Sequence, residues 1–332
     1  MKKLSRIAAA IIAVVMTFSL AGCKLISKTE EGEKNTVVAK ANGKKITKGE
    51  FEKSLAVKKV LLGAYYGYDF FDGESGAGYL SYIKTDTLNE AVQEQVIKDK
   101  AKKLGLIDDE EAIAEEAKKQ LDEYTEALSD KNGFDNAIEK NGITTEDILD
   151  YFRNSVIHQR LFDETTKDVT VADDEIKKYY DENPYEFTEK ENVMNLSHIL
   201  VDSSEEALSV KNRLKAGENF EDVAKEVSKD DGTKDKGGLL GDVKYVGSNY
   251  IQEFVDAAIK LKEGDISDPV QTTYGWHIIK CNSKTEYPEK AFDDVKDSIK
   301  EDLLSDKKND AFSTAYKEWN TAAKVKTYTD RI

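Results

Sequence analysis

The apolar residues after Pro288 fall in a single stripe, and that stripe constrains the architecture more than any other feature. Phe292, Val295, Ile299 and Leu303, followed by Phe312, Tyr316 and Trp319, recur at helical spacing. A helix with one apolar stripe and an otherwise charged surface must bury that stripe against another element. The nearest segments of the same kind lie at the far end of the chain, where residues 36–190 read as mostly helical. Between them, residues 191–284 carry short apolar runs of strand length mixed with helices. The expected fold is therefore α+β. A small sheet with surrounding helices is inserted in a mostly helical domain that is split in sequence, and residues 285–332 pack back on the N-terminal part.

Local signals support the helical reading. Val37–Ala41, the turn at Asn42-Gly43 and Lys44–Ile46 predict a hairpin. Thr47 and Glu50 form a capping box that opens a helix to about Leu62. Gly63 to Gly78 holds five glycines and the aromatics Tyr65, Tyr66, Tyr68, Phe70 and Phe71, and reads as a loop. Such a loop packs beneath its own side chains or offers a sticky patch to unfolded chains. Thr85–Leu104 reads as a helix carrying Leu88, Val92, Val96 (or Gln95) and Lys100, closed by Gly105. Asp108–Leu128 reads as an acidic helix with a Glu115–Lys119 surface pair. Thr144 and Asp147 open another helix, with Ile148, Phe152, Val156 and Leu161 on one stripe and His158 at its boundary. A short helix over Asp173–Tyr180 stops at Asn183-Pro184.

Composition narrows the function. The chain has 332 residues, 49 Lys+Arg against 65 Asp+Glu and a net charge of -16. A nucleic-acid binder needs a basic surface, so nucleic acid is not an expected partner. Two cysteines exclude a disulfide-stapled scaffold and a Cys₄ zinc site. The first cysteine belongs to a targeting signal. Lys2, Lys3 and Arg6 precede a short apolar stretch, Ile7 to Leu20, which ends in Leu20-Ala21-Gly22-Cys23. That end resembles the lipobox of bacterial lipoproteins. The resemblance implies a signal peptide over residues 1–22, cleavage before Cys23 and a diacylglyceryl group, a palmitate-class anchor, on its sulfur. Residues 23–35 are polar and read as a flexible tether. Only Cys281 would keep a thiol.

The middle of the chain carries the chemistry. Val193–Val201 reads as a buried strand, followed by helices over Ser204–Ala216 and Asn219–Val227, then a polar loop with Gly237, Gly238 and Gly241. Val243–Val246 reads as a short strand and Tyr250–Leu261 as a helix. Pro269–Thr273 and Trp276–Cys281 read as strands, the first and last strands of the region pairing. On strand period two, His198 shares a face with Leu196 and Leu200, and His277 with Ile279 and Cys281. Two of the three histidines thus point into apolar faces. From pattern alone they are either a satisfied core pair or part of a site. Too few ligands lie near them for zinc. Ser197 and Ser228 lack a nucleophile elbow, so hydrolysis is not expected.

The order of motifs from about Val193 to Ser283 resembles the parvulin class of peptidyl-prolyl isomerases. The matching pieces are Ser197–Val201, Leu214–Phe220, Ala224–Ser228, Gly237–Gly241, Glu253–Ala258, Gly264–Val270 and Gly275–Ile279. With the lipobox and flanking helices, the whole chain is similar to the PrsA type of foldase lipoprotein, and its N-terminal region to the SurA-like chaperone domain. The resemblance implies that His198 and His277 are the paired active-site histidines. Asp230 (or Asp231, one residue on in a long loop) would be the acidic partner, and Thr272 a polar member of the same network. Leu240, Tyr250 and Phe254 would line the proline pocket. Leu239 stands where the family has Asp, and Tyr250 where Met is common.

The implied function is an extracytoplasmic foldase, held in the membrane through Cys23, that isomerises Xaa-Pro bonds of unfolded or partly folded exported proteins. The reaction twists an amide and breaks no bond, so no cofactor or metal is expected. A second reading is a chaperone or holdase whose helical domain does the work while the isomerase module is weak or silent. A solute-binding lipoprotein would need two α/β lobes, and the long helical stretches argue against it. The sequence leaves the oligomeric state open, a homodimer included.

Overall fold

The computed structural model describes residues 30–332. The signal segment and Cys23 lie outside the described residues. The chain divides into two compact units, one made of residues up to Val169 together with Asp306–Ile332, the other of Thr170–Ser305. The α+β module is thus inserted in a mostly helical one.

The first unit opens with helix α1 (Glu30–Lys34). These residues were expected to continue the tether. So short a helix is not stable alone. This one lies against the next helix, where a Cβ at Gly49 would come within 3.2 Å of the Lys34 side chain. Strands β1 (Val37–Ala41) and β2 (Lys44–Thr47) form the expected hairpin, with Asn42 and Gly43 at φ 52° and 77°. The capping box opens α2 (Lys48–Tyr66), where Thr47 and Glu50 bond reciprocally. The glycine- and aromatic-rich stretch is not the loop expected. The helix runs on to Tyr66, a 3₁₀ turn covers Phe70–Asp72, and α3 (Glu74–Lys103) begins at once. Gly76 makes this possible, since a Cβ there would lie 2.0 Å from the Phe70 carbonyl oxygen. Phe70 and Phe71 pack edge to face at 5.1 Å, and Tyr66 and Tyr79 stack around them. Glycine in a helix interior costs about 1 kcal/mol. Here tight packing against the 3₁₀ turn outweighs it.

Helix α4 (Glu110–Ala127) is capped by Asp109. Its Lys119 faces Glu123 at 3.8 Å, one turn beyond the predicted Glu115. Helix α5 (Lys131–Lys140) is an element the periodicity did not reveal. Helix α6 (Thr145–Thr166) starts with the expected capping box. Its stripe, Ile148, Phe152, Val156 and Leu161, joins Val57, Val60, Ile113 and Phe134 in the main core of this unit. His158 sits at the core edge, 5.1 Å from the Phe312 ring, and burial lowers its pKa.

The second unit begins with α7 (Asp173–Glu182) and a 3₁₀ turn at Pro184–Phe187. Strand β3 (Val193–Val201) has the predicted bounds. Helices α8 (Ser204–Lys215) and α9 (Phe220–Val227) follow, capped by Ser203 and Asn219. Strand β4 spans Leu239–Lys244, earlier than the expected Val243–Val246, because it contains a bulge that hides its alternation. Helix α10 covers Gln252–Ile259, leaving Tyr250 outside it. Strands β5 (Val270–Thr272) and β6 (Gly275–Thr285) complete an antiparallel sheet in the order β4-β3-β6-β5. First and last long strands pair centrally, as the sequence implied. One face, with Ile199, Val201 and Ile278, is covered by α8 and α9; the other, with Met194, Leu196, Ile279 and Cys281, by α10.

The stripe after Pro288 lies on one helix, α11 (Phe292–Ala322). It does not serve a single core. Val295 and Ile299 pack with Val171 and Ile176 in the second unit, while Phe312, Tyr316 and Trp319 pack in the first. Beyond it, β7 (Lys326–Thr327) pairs antiparallel with β1, an unforeseen closure of the first unit's sheet.

Candidate functional site

The two histidines meet because β3 and β6 pair in antiparallel register. His198 lies opposite Ile279, and Leu200 opposite His277. The two rings are therefore diagonal neighbours on one face. They stack with centroids 5.3 Å apart, and their Nδ1 atoms are 3.1 Å apart. Both residues are buried.

Asp230 arrives from the loop after α9. That loop is tied to the free stretch of β3. The Lys229 amide donates to the Leu200 carbonyl at 2.8 Å, and the Leu200 amide donates to Ser228 Oγ at 3.2 Å. This anchor sets the loop register. Asp230, not Asp231, reaches His198, with Oδ2 at 2.7 Å from Nε2. Asp231 instead pairs with Lys234. Further along, the His198 amide donates to the Gly238 carbonyl at 2.8 Å. Gly238 has φ of 79°, and a Cβ there would lie 2.2 Å from the His198 carbonyl oxygen, so only glycine fits.

The bonds order the protons. Burial pushes the Asp230 carboxyl up, but bonds from Thr233 and His198 and from the Gly232 amide outweigh it, and the net pKa is lowered. An ionised Asp230 only accepts, so His198 Nε2 carries the proton. The 3.1 Å contact between His198 Nδ1 and His277 Nδ1 has room for one shared proton. His277 accepts at Nε2 from the Thr272 hydroxyl, 2.8 Å away. The Thr272 oxygen in turn accepts from the Tyr274 amide at 3.1 Å. Neutrality of His277 is favoured: burial, then the neighbouring His198, lower its pKa to about 4. Thr233, which sequence reasoning missed, donates to Asp230 and lies 3.3 Å from His198 Nε2. Its only signal was proximity to Asp230 in the chain.

An apolar surface adjoins this chain. Phe254 of α10 presents its ring nearly perpendicular to both histidines, at 5.9 and 5.3 Å. Tyr250 stacks on Phe254 at 5.5 Å and stays 38% exposed. Leu240 is the bulged residue of β4: Leu196 pairs with Gly241 and Ser197 with Leu239, leaving Leu240 unpaired. The bulge turns its side chain to the core shared with Phe254. Leu239, by contrast, is exposed. The structure thus brings together His198, His277, Asp230, Thr272, Leu240, Tyr250 and Phe254. Among the described residues, no buried side-chain nitrogen or oxygen lacks a partner, and no group of three or more His, Cys, Asp or Glu is placed to hold a metal ion. The arrangement offers no activated nucleophile. It is suited to gripping an apolar ring beside a fixed polar network.

Residues 198–283 match the family model of the PPIC-type PPIASE domain, and residues 1–162 that of the SurA-like N-terminal domain. The foldase protein PrsA of Clostridium botulinum is 43% identical over 317 residues, which cover 95% of this chain and 94% of that protein. The foldase protein PrsA of Clostridium kluyveri is 37% identical over 333 residues, 98% of each chain. A crystal structure of the peptidylprolyl isomerase PrsA from Bacillus cereus is 27% identical, covers 89% of this chain and 94% of its own, and superposes with a TM-score of 0.40. With such identity across nearly the whole of both sequences, the chain belongs to the PrsA foldase family and is a parvulin-type peptidyl-prolyl cis-trans isomerase.

Proposed function

We propose that this foldase works outside the cytoplasm, anchored to the membrane through a lipid on Cys23, and isomerises Xaa-Pro bonds in unfolded or partly folded exported proteins. Leu240, Tyr250 and Phe254 hold the proline ring. Asp230, His198, His277 and Thr272 hold one proton arrangement beside the amide. The observation that carries this reading is the junction of the two parts: Phe254 touches both histidine rings of the hydrogen-bonded chain and stacks on the half-open Tyr250. An amide loses resonance as it twists, against a barrier of about 18–20 kcal/mol. A site that is apolar around the ring and fixed in polarity favours the twisted form over either planar one. No member of the chain is required to take a proton from the substrate.

The signal over residues 1–22 and the Leu20-Ala21-Gly22-Cys23 end support the location. No helix among the described residues is long and apolar enough to cross a membrane. The test has two parts. The purified protein should accelerate cis-trans exchange of a short Xaa-Pro peptide, and the double substitution Leu240→Ala, Phe254→Ala should remove the acceleration. Membrane fractionation with Cys23→Ser should move the protein from the membrane to the soluble fraction. Full exchange activity in the double variant would refute the pocket, and unchanged fractionation would refute the anchor.

A further inference from the structure

The small sheet of the helical unit, in the order β2-β1-β7, carries a row of like charges. Lys40 of β1 lies directly opposite Lys45 of β2 on one side and Lys326 of β7 on the other. These three residues therefore share one face of the sheet. The other face belongs to the core, where Ala39, Ala41 and Ile46 are buried with Phe51 and Leu88. Lys45 and Lys326 are exposed and Lys40 is half-buried. Lys44, opposite Ala41, pairs with Asp99 at 2.7 Å. Among the described residues, the three lysines of the row make no such pair. Like charges directly opposite one another destabilise a sheet. An anionic surface laid across the row would relieve that repulsion.

The row is built from distant parts of the chain and is firmly held. The Tyr328 amide donates to the Val38 carbonyl at 2.8 Å, and the Arg331 guanidinium to the Val37 carbonyl at 2.8 Å. The Asn42 amide donates to the Ala323 carbonyl, also at 2.8 Å. Segments 37–47 and 323–332 hold Lys40, Lys44, Lys45, Lys324, Lys326 and Arg331 against one acidic side chain, Asp330. In a chain of net charge -16, this end of the unit is locally cationic. It is also where the chain enters the unit, since β1 starts only fourteen residues after Cys23. That length of chain reaches at most about 50 Å. Residues 23–36 between them are balanced in charge, with Lys24, Lys28 and Lys34 against Glu30, Glu31 and Glu33.

We propose that the face bearing Lys40, Lys45 and Lys326 docks on a bilayer surface rich in anionic phospholipid headgroups. The proposal rests on the anchor at Cys23, which keeps the sheet close to the bilayer and so at high effective concentration. A lipid fixes the distance of the unit from the membrane but not which face meets it. The lysine row supplies that choice, as basic patches beside membrane anchors do. The acidic remainder of the chain does not oppose it, because repulsion is screened beyond about 10 Å. A second copy of the chain is a poor occupant, since a two-fold contact would set the lysines against themselves.

The test leaves the lipid out. Purified residues 23–332 carrying Cys23→Ser are sedimented at low salt with vesicles of phosphatidylcholine alone or of equimolar phosphatidylcholine and phosphatidylglycerol. Binding to the anionic vesicles should be at least about tenfold tighter and should fall as salt is added. The row variant Lys40→Gln, Lys45→Gln, Lys326→Gln should lose at least about tenfold in affinity for them. The control variant Lys118→Gln, Lys225→Gln, Lys300→Gln has the same net charge, with its changes at exposed positions spread over both units, and should bind like the parent. The pair Lys45→Gln, Lys326→Gln, confined to the two exposed positions, should show most of the loss without a lower melting temperature, because it removes repulsion. Equal binding to the two kinds of vesicle, undiminished binding by the row variant, or an equal loss in row and control variants would overturn the proposal. If the row behaves as expected but Cys23→Ser stays in the membrane fraction of cells even with the row substituted, the anchor alone is refuted.

Discussion

Acidification should loosen the sheet unit through His277. The ring is buried, and its pKa is lowered from 6.5 to about 4, chiefly by burial and then by the adjacent His198. The unfolded chain therefore binds a proton over a range where the folded chain does not. Stability rises with pH wherever the unfolded state holds more protons. The contribution is fully present above the unfolded value and is lost as pH falls from about 6.5 towards 4. A shift of this size corresponds to about 3 kcal/mol in full, of which about 2 kcal/mol is lost between pH 7 and pH 4.5. That is a large share of a marginal domain stability of about 5–15 kcal/mol. Urea unfolding followed by tryptophan fluorescence can isolate it. Trp276 adjoins His277 in β6, whereas Trp319 lies in the other unit, so the assay is run in a Trp319→Phe background. The control is His277→Gln, which keeps a polar side chain but does not titrate. The parent's advantage over the control should shrink by about 2 kcal/mol on going from pH 7 to pH 4.5. Burial also lowers the His158 pKa, but this residue is present in both proteins and its effect cancels. An advantage that stays constant across this range would refute the reasoning, because it would mean that His277 is protonated as easily inside the fold as outside it.

Three further outcomes follow from particular contacts. Asp230→Ala removes the acceptor of His198 Nε2–H and frees the ring to adopt the other tautomer, so exchange of an Xaa-Pro peptide should slow about 10- to 100-fold, whereas Asp231→Ala should change it by less than about threefold; the reverse order would refute the loop register. Gly238→Ala places a Cβ 2.2 Å from the His198 carbonyl at positive φ, and the displaced loop should cost about 2 kcal/mol or more in urea unfolding of the sheet unit together with most of the activity; parent-like values for both would contradict the close approach. Thr47→Ala breaks the capping box of α2 and should lower stability of the helical unit by about 1 kcal/mol without altering exchange, as read by melting and by the peptide assay.

Much of the site was readable in the sequence. The two histidine strands read as short apolar runs, and a strand period of two placed both histidines on apolar faces before any pairing was known. Capping chemistry at Thr47 and Thr144 marked helix starts, because each side chain bonds an amide only a few residues away. Such signals survive in one dimension because the interacting groups are near each other in the chain.

Other features depended on residues far apart. The glycines after Gly63 read as a loop, yet Gly76 lies inside α3 because the backbone of Phe70 and Phe71 packs onto it. The bulge at Leu240 concealed β4, since an extra residue breaks the alternation that identifies a strand. The apolar stripe of α11 showed that it must be buried, but not that Ile299 and Phe312 would enter different cores. Strand β7 has too few residues to register on its own and exists through its bonds to β1. The choice between Asp230 and Asp231 could not be made from spacing, and it was decided by two bonds between the loop and Leu200. The sequence by itself determined most of the helices and strands and which of their faces are apolar, because propensity, capping and periodicity are local, while the site residues were implied by the resemblance to the parvulin class. Only the tertiary structure decided register, partner and proton order, because these arise from contacts that close long loops and are set by the packing of the whole unit.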